Sequence, residues 1–167
     1  MRWRTDVVTG LGLYEVQVLT AATSGPPGLA RFFGMTAHQI TSYFDARKDE
    51  TDNHASFALL ASTEAILRTD YARRVRARGK DAVSRAFRTI NKEQREKVSL
   101  DAHILQTWVD HHPACSAYVA AFRGTLKLRN WLAHGGYWRP KLGRSYSFDD
   151  VYDIVTRLVR SLPGLVL

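Results

Sequence analysis

Cysteine is almost missing from this chain. Cys115 is the only one among 167 residues, which excludes a disulfide framework and any multi-cysteine zinc or iron–sulfur site. It is expected to be a small buried apolar residue of a protein in a reducing compartment. No stretch approaches the ~20 apolar residues that a membrane span needs. The apolar run after Arg2 and Arg4 is broken by Asp6, Glu15 and Gln17, so no signal peptide is expected and the expected location is cytoplasmic, with no membrane partner. There is no glycine-rich phosphate loop, no nucleophile elbow and no HExxH pair, which removes the familiar NTPase, α/β-hydrolase and metalloprotease signatures. Acidic residues are also scarce. Sixteen Asp and Glu stand against 24 Lys and Arg, a formal charge of +8, and such an excess favours polyanions, because each phosphate neutralised releases counterions.

What is present is helical. Residues 29–167 read as one all-α domain, and residues 1–28 as an N-terminal arm of uncertain structure, because Val7, Leu11, Tyr14 and Val18 fit a helix while Tyr14, Val16 and Val18 alternate as in a strand. Thr23-Ser24-Gly25-Pro26-Pro27-Gly28 is a loop. Leu29 to about Asp49 predicts one or two helices, and Asp52 is placed to cap a long helix to about Arg78, ended by Gly79. A further helical stretch runs from Asp81 to about Lys97, and Ser99 or Asp101 caps a short helix through Trp108. Pro113 precedes an amphipathic helix over about Ala114–Ala133, closed by Gly135-Gly136. Ser147-Phe148-Asp149-Asp150 matches a capping box, and Val151, Ile154, Val155, Leu158 and Val159 give the last helix its apolar stripe.

Asp110-His111-His112 has metal-binding residue types but no second donor group at ligand spacing, so no metal and no cofactor are expected. The arginines between Arg68 and Arg88 suit a phosphate-tracking surface or a solvated face equally, and Glu64 and Arg68 are spaced i,i+4 as an ordinary helical ion pair. The segment Leu128-Arg129-Asn130-Trp131-Leu132-Ala133-His134 carries more chemistry. Asn130 and His134 share a helix face, so the amide can orient the imidazole. Arg129 lies five residues from His134, roughly 140° round an ideal helix and about 7.5 Å along it. Two copies meeting across a two-fold axis would bring such groups into one cleft more readily than a single straight helix.

Arg129-Asn130-Trp131-Leu132-Ala133-His134 resembles the R-N-x-x-x-H signature of the HEPN superfamily. The helix order resembles it too, with a long helix carrying Glu64, Arg68, Asp70 and Tyr71, a polar connector, the motif helix and a closing helix over about residues 29–162. The resemblance implies an antiparallel helical bundle and a metal-independent endoribonuclease, often a homodimeric toxin or antiviral effector, with an antitoxin or defence-system partner. It also implies that Arg129 and His134 form the catalytic pair, that Asn130 orients it, and that Glu64 assists from the facing helix. Arg68, Tyr137 and Trp138 are expected to contact the RNA. One departure stands out: the branch regulated through a tyrosine two residues after the histidine has Gly136 at that place here, with Tyr137 following. The competing expectation is a catalytically silent HEPN-like module that binds RNA or nucleotide, or docks a partner.

Overall fold

The computed structural model describes residues 2–21, 27–135 and 145–165. Among these there is no strand, as expected for an all-α chain. Six α-helices follow one another: α1 (Arg2–Thr20), α2 (Ala37–Ala77), α3 (Ala82–Gln94), α4 (Gln106–His111), α5 (Ser116–Ala133) and α6 (Phe148–Ser161). The chain divides into two compact units, Met1–Ala55 and Ser56–Leu167, and α2 contributes to both. The division falls inside α2 rather than at the proline loop near residue 28, most of which lies outside the described residues.

In the first unit, α1 resolves the ambiguity of the N-terminal arm in favour of helix. The helical reading wins because Leu11, Tyr14 and Val18 then share one face against Leu29, Phe32, Ile40 and Phe44. Four aromatic rings interlock there: Phe32 stacks on Phe44 at 5.6 Å and Tyr14 meets Phe44 edge-on at 5.5 Å, with Tyr43 beside them. Such pairs add about 0.5–1.5 kcal/mol each beyond their buried area. Arg4 grips Asp52 with two bonds of 2.7 and 2.8 Å, and Lys48 reaches Glu15 at 2.7 Å.

This corrects the expected role of Asp52, which caps nothing. No proline or glycine interrupts residues 37–77, so α2 runs through it, and its carboxylate serves Arg4 instead. The cap of α2 is Thr36: its hydroxyl accepts from Gln39 N–H at 3.2 Å, and the Gln39 side-chain Oε1 accepts from Thr36 N–H at 2.7 Å. Residues 27–32 form a 3-10 turn ahead of it rather than a helix. At the far end α2 stops at Ala77 because Arg78, not Gly79, adopts the left-handed conformation (φ 52°). Gly79 has a different duty, since a Cβ there would lie 2.9 Å from both Asp81 Oδ2 and Ser84 Oγ.

The second unit holds the larger core, built on Leu60 and Leu67 of α2, Val83 and Phe87 of α3, Trp108, Val119, Phe122, Val151 and Leu158. All are at most 1% exposed, and each stabilises the fold by about 1.5–3 kcal/mol through burial. The helical stretch expected from Asp81 is α3, and Asp81 is its cap, accepting from Ser84 N–H at 2.9 Å. Ser99 caps the next element, whose first turn, Leu100–Leu105, is wound as a π-helix before α4 continues it. Asp101, the alternative cap, instead pairs with Arg123 of α5. Ser147 and Asp150 form both bonds of the expected capping box at the start of α6. Burial raises the Cys115 thiol above its ordinary pKa, in keeping with an inert core residue.

Candidate active site

Helix α5 carries the motif. Pro113 opens a 3-10 turn that feeds it, and Val119, Phe122, Thr125 and Leu128 bury its inner face. The helix ends at His134, whose backbone N–H is shared between the Asn130 and Trp131 carbonyls at 3.2 Å each. Gly135 follows at φ 81° and donates to the Leu132 carbonyl at 3.1 Å. Glycine is suited to that left-handed residue, so the stop is written into the sequence. Asn130 and His134 are both exposed on these last turns.

Arg129 faces α2. Its Nη2 is ion-paired with Glu64 Oε2, while Glu64 Oε1 receives Arg68 Nε at 2.8 Å. Arg68 also donates to the Val98 carbonyl at 3.3 Å, tying α2 to the segment before the π-turn. Glu64 is therefore a bridge between two guanidinium groups, with its side chain 18% exposed. Two positive charges share one negative charge, so the cluster keeps a net positive charge. Arg129 Nε is buried and has no hydrogen-bond partner, a condition that costs about 1–3 kcal/mol in a folded protein.

The structure thus brings together three residues singled out from the sequence: Glu64, Arg68 and Arg129. Asn130 and His134 continue along the same helix toward its C-terminus. Tyr137 and Trp138 lie outside the described residues. Among the described residues no group of three His, Cys, Asp or Glu gathers as metal ligands. Asp110 accepts from Gln106 at 2.8 Å, and His112 packs its ring 5.6 Å from Trp108.

A second arginine–carboxylate cluster, built on Asp70, escaped the sequence reading, although the spacing of Asp70, Arg73 and Arg74 signalled it. Asp70 is 1% exposed and receives Arg73 at 2.6 Å and Arg74 at 2.7 Å. Both arginines also donate to the Gly164 carbonyl, and Arg74 reaches that of Pro163 at 3.1 Å. Arg74 further contacts Asp81 at 3.3 Å and lies 4.9 Å over the Trp108 ring. Arg88 bonds the Gly79 carbonyl at 2.8 Å. Several of the arginines between Arg68 and Arg88, read from sequence as either a phosphate-tracking surface or a solvated face, are therefore engaged within the protein.

No family model, no curated protein and no solved structure matches this chain. Among the described residues no helix is long and apolar enough to cross a membrane.

Proposed function

We propose that the chain is a metal-independent endoribonuclease of HEPN type, acting in the cytoplasm as a homodimer and serving as a toxin or antiviral defence effector with an antitoxin or defence-system partner. The observation that supports the reading is the union of Glu64, Arg68 and Arg129, residues singled out from the sequence and brought together between α2 and α5. In this reading RNA supplies its own nucleophile. The ribose 2′-oxygen attacks the adjacent phosphorus in line, its proton passes to a base, and the 5′-oxygen leaves carrying a proton from an acid. The products are a 2′,3′-cyclic phosphate and a 5′-hydroxyl. His134 carries the protons, a role in which a histidine is worth typically 10²–10⁴-fold near neutral pH. Arg129 neutralises the developing phosphorane with its planar fork, and Glu64 is the positioning residue that aims it. Asn130 orients His134, Arg68 holds the phosphate chain, and Tyr137 and Trp138 stack on bases.

The test is labelled single-stranded RNA in excess EDTA, with DNA of the same sequence beside it. Wild-type protein should cut the RNA alone and leave cyclic-phosphate ends. His134→Ala and Arg129→Ala should lose at least a hundredfold in rate with helical circular dichroism retained. Full activity in either variant overturns the assignment. One observation favours the alternative, a silent module that binds RNA or nucleotide: Arg129 is already held by Glu64. RNA shifted in a gel with steep salt dependence, but never cut, would select it.

A further inference from the structure

The positive charge of the chain is gathered on one stretch of the second unit. Residues 76–97 carry eight Lys and Arg against three Asp and Glu, +5 of the chain's +8. Helix α3 sorts these residues by face. Val83, Phe87 and Ile90 turn to the core. Arg85, Arg88 and Lys92, spaced i, i+3 and i+7, fall within about 60° of one another on the opposite side. Of the acidic residues, Asp81 is the cap, Glu93 lies about 100° round the helix from Lys92, and Glu96 follows the helix end. Arg88 bonds the Gly79 carbonyl at 2.8 Å, which holds the turn of Arg78 and Lys80 beside the basic side. Beyond Lys92 come Arg95 and Lys97, and the next residue, Val98, gives its carbonyl to Arg68 at 3.3 Å. The 13 residues of α3 thus lay a basic track about 20 Å long that ends beside the Glu64–Arg68–Arg129 cluster.

Two features set this track apart from an ordinary solvated face. Arg73, Arg74 and Arg88 are bound within the protein. Lys80, Arg85, Lys92, Arg95 and Lys97 are exposed, and among the described residues their side chains have neither a hydrogen bond nor an ion pair. The second feature is backbone strain. Among the described residues, the non-glycine positions at positive φ are both arginines, Arg78 at 52° and Arg95 at 48°, one beyond each end of α3. Glycine would sit there without strain, and a strained side chain is retained where it has work to do. We infer that this face docks a paired segment of RNA by its phosphate backbone, the choice of RNA resting on the ribonuclease reading. Charge complementarity selects a polyanion. Phe87, the aromatic residue of the stretch, is 0% exposed, so no ring is offered for the stacking on which single strands depend. Paired RNA is held through phosphates and shape instead. An anionic membrane fits less well, because no large apolar side chain of α3 is exposed to enter it.

Binding is read by fluorescence anisotropy on a labelled RNA hairpin, using the full chain with His134→Ala so that the RNA stays whole. Adding Arg85→Gln and Lys92→Gln together should weaken binding at least tenfold with helical circular dichroism unchanged. The slope of log affinity against log salt should become shallower by roughly 1.5, as two lost phosphate contacts require. Arg78→Gly and Arg95→Gly should each weaken binding about threefold or more while the midpoint of thermal unfolding stays or rises, a combination that a purely structural role does not give. With His134 restored, the Gln pair should raise KM for a cleavage site carried on a hairpin and leave kcat unchanged. RNA bound through α3 but never cut would remove the ribonuclease reading and leave the docking face standing. Normal cleavage, with hairpin affinity and KM unmoved by the Gln pair, overturns the docking face and leaves that reading standing. Single-stranded RNA, a DNA duplex or anionic vesicles held more tightly than the hairpin through the same residues would overturn it too.

Discussion

Helix α2 carries two carboxylates six positions apart, and each lies between two arginines. Asp70 is sealed: its side chain is 1% exposed, that of Arg74 is 13% exposed, and the Arg74 Nε, Nη1 and Nη2 atoms all have acceptors. Glu64 is open by comparison. Its side chain is 18% exposed, Arg68 is 46% exposed, and Arg129 keeps a buried Nε–H without a partner. The same residue types at the same kind of spacing therefore give two different devices. Where the Arg74 donors are all matched and the carbonyls of Pro163 and Gly164 join in, the ion pairs tie residues 163–164 to α2, although Arg73 is itself 44% exposed. At the Glu64 cluster one donor, Arg129 Nε, is left without an acceptor. Saturation, rather than the presence of arginine, separates the two.

The comparison breaks most visibly at Asp70. Asp70→Ala leaves two guanidinium groups without their carboxylate, and removing one partner of a buried pair costs about 3–5 kcal/mol. Thermal unfolding should fall by roughly 6–20 °C for a chain of this size. A shift below about 2 °C would mean that the sealed cluster contributes nothing the solvent does not supply. At Glu64 the expected pattern is reversed. Glu64→Gln should cost about 1 kcal/mol or less in stability, as partly exposed pairs do. It removes one negative charge from the cluster, so RNA should bind more tightly with a steeper salt dependence. Cleavage should nevertheless slow about tenfold or more, because Arg129 loses the group that aims it. Unchanged cleavage with tighter binding would leave Glu64 with no positioning role.

Local signals carried much of the fold. The capping box at Ser147, the Asp81 cap and Gly135 each set one residue's hydrogen bonds or dihedral, and such features are readable over four residues. The misreadings were of another kind. Asp52 is a good cap by residue type, but Arg4, 48 positions earlier, claims its carboxylate and lets α2 run on. Thr36 and Gln39 spelled the true start of α2 and were overlooked beside it. The left-handed Arg78 breaks the expectation that the adjacent glycine takes that conformation. In the candidate site, the i,i+4 pair of Glu64 and Arg68 was legible, and Arg129 as its third member was an expectation only through resemblance. A contact across 65 positions leaves no periodic trace in one sequence.

The smallest expected effect sharpens the boundary of the sealed cluster. Asp81 is its outermost carboxylate, 51% exposed and 3.3 Å from Arg74. Hydrogen bonding to Ser84, and then the Arg74 charge, hold its carboxyl below the ordinary carboxylate range against a contrary push from burial. A depressed native pKa means that the stabilisation is present above the unfolded value of about 3.9 and is lost as pH falls through the lower native one. Asp81→Ala should cost about 1 kcal/mol at pH 7, the usual worth of a helix cap. Asp81→Asn keeps a capping oxygen but no charge. It should lie a few tenths of a kcal/mol below wild type at pH 7, an amount held small by solvent screening at so exposed a site. Urea unfolding at pH 7, 5, 4 and 3 should show the two curves converging only below pH 4, with the wild type falling more steeply. Parallel curves across that range would place Asp81 outside the cluster's electrostatics and leave it a cap alone.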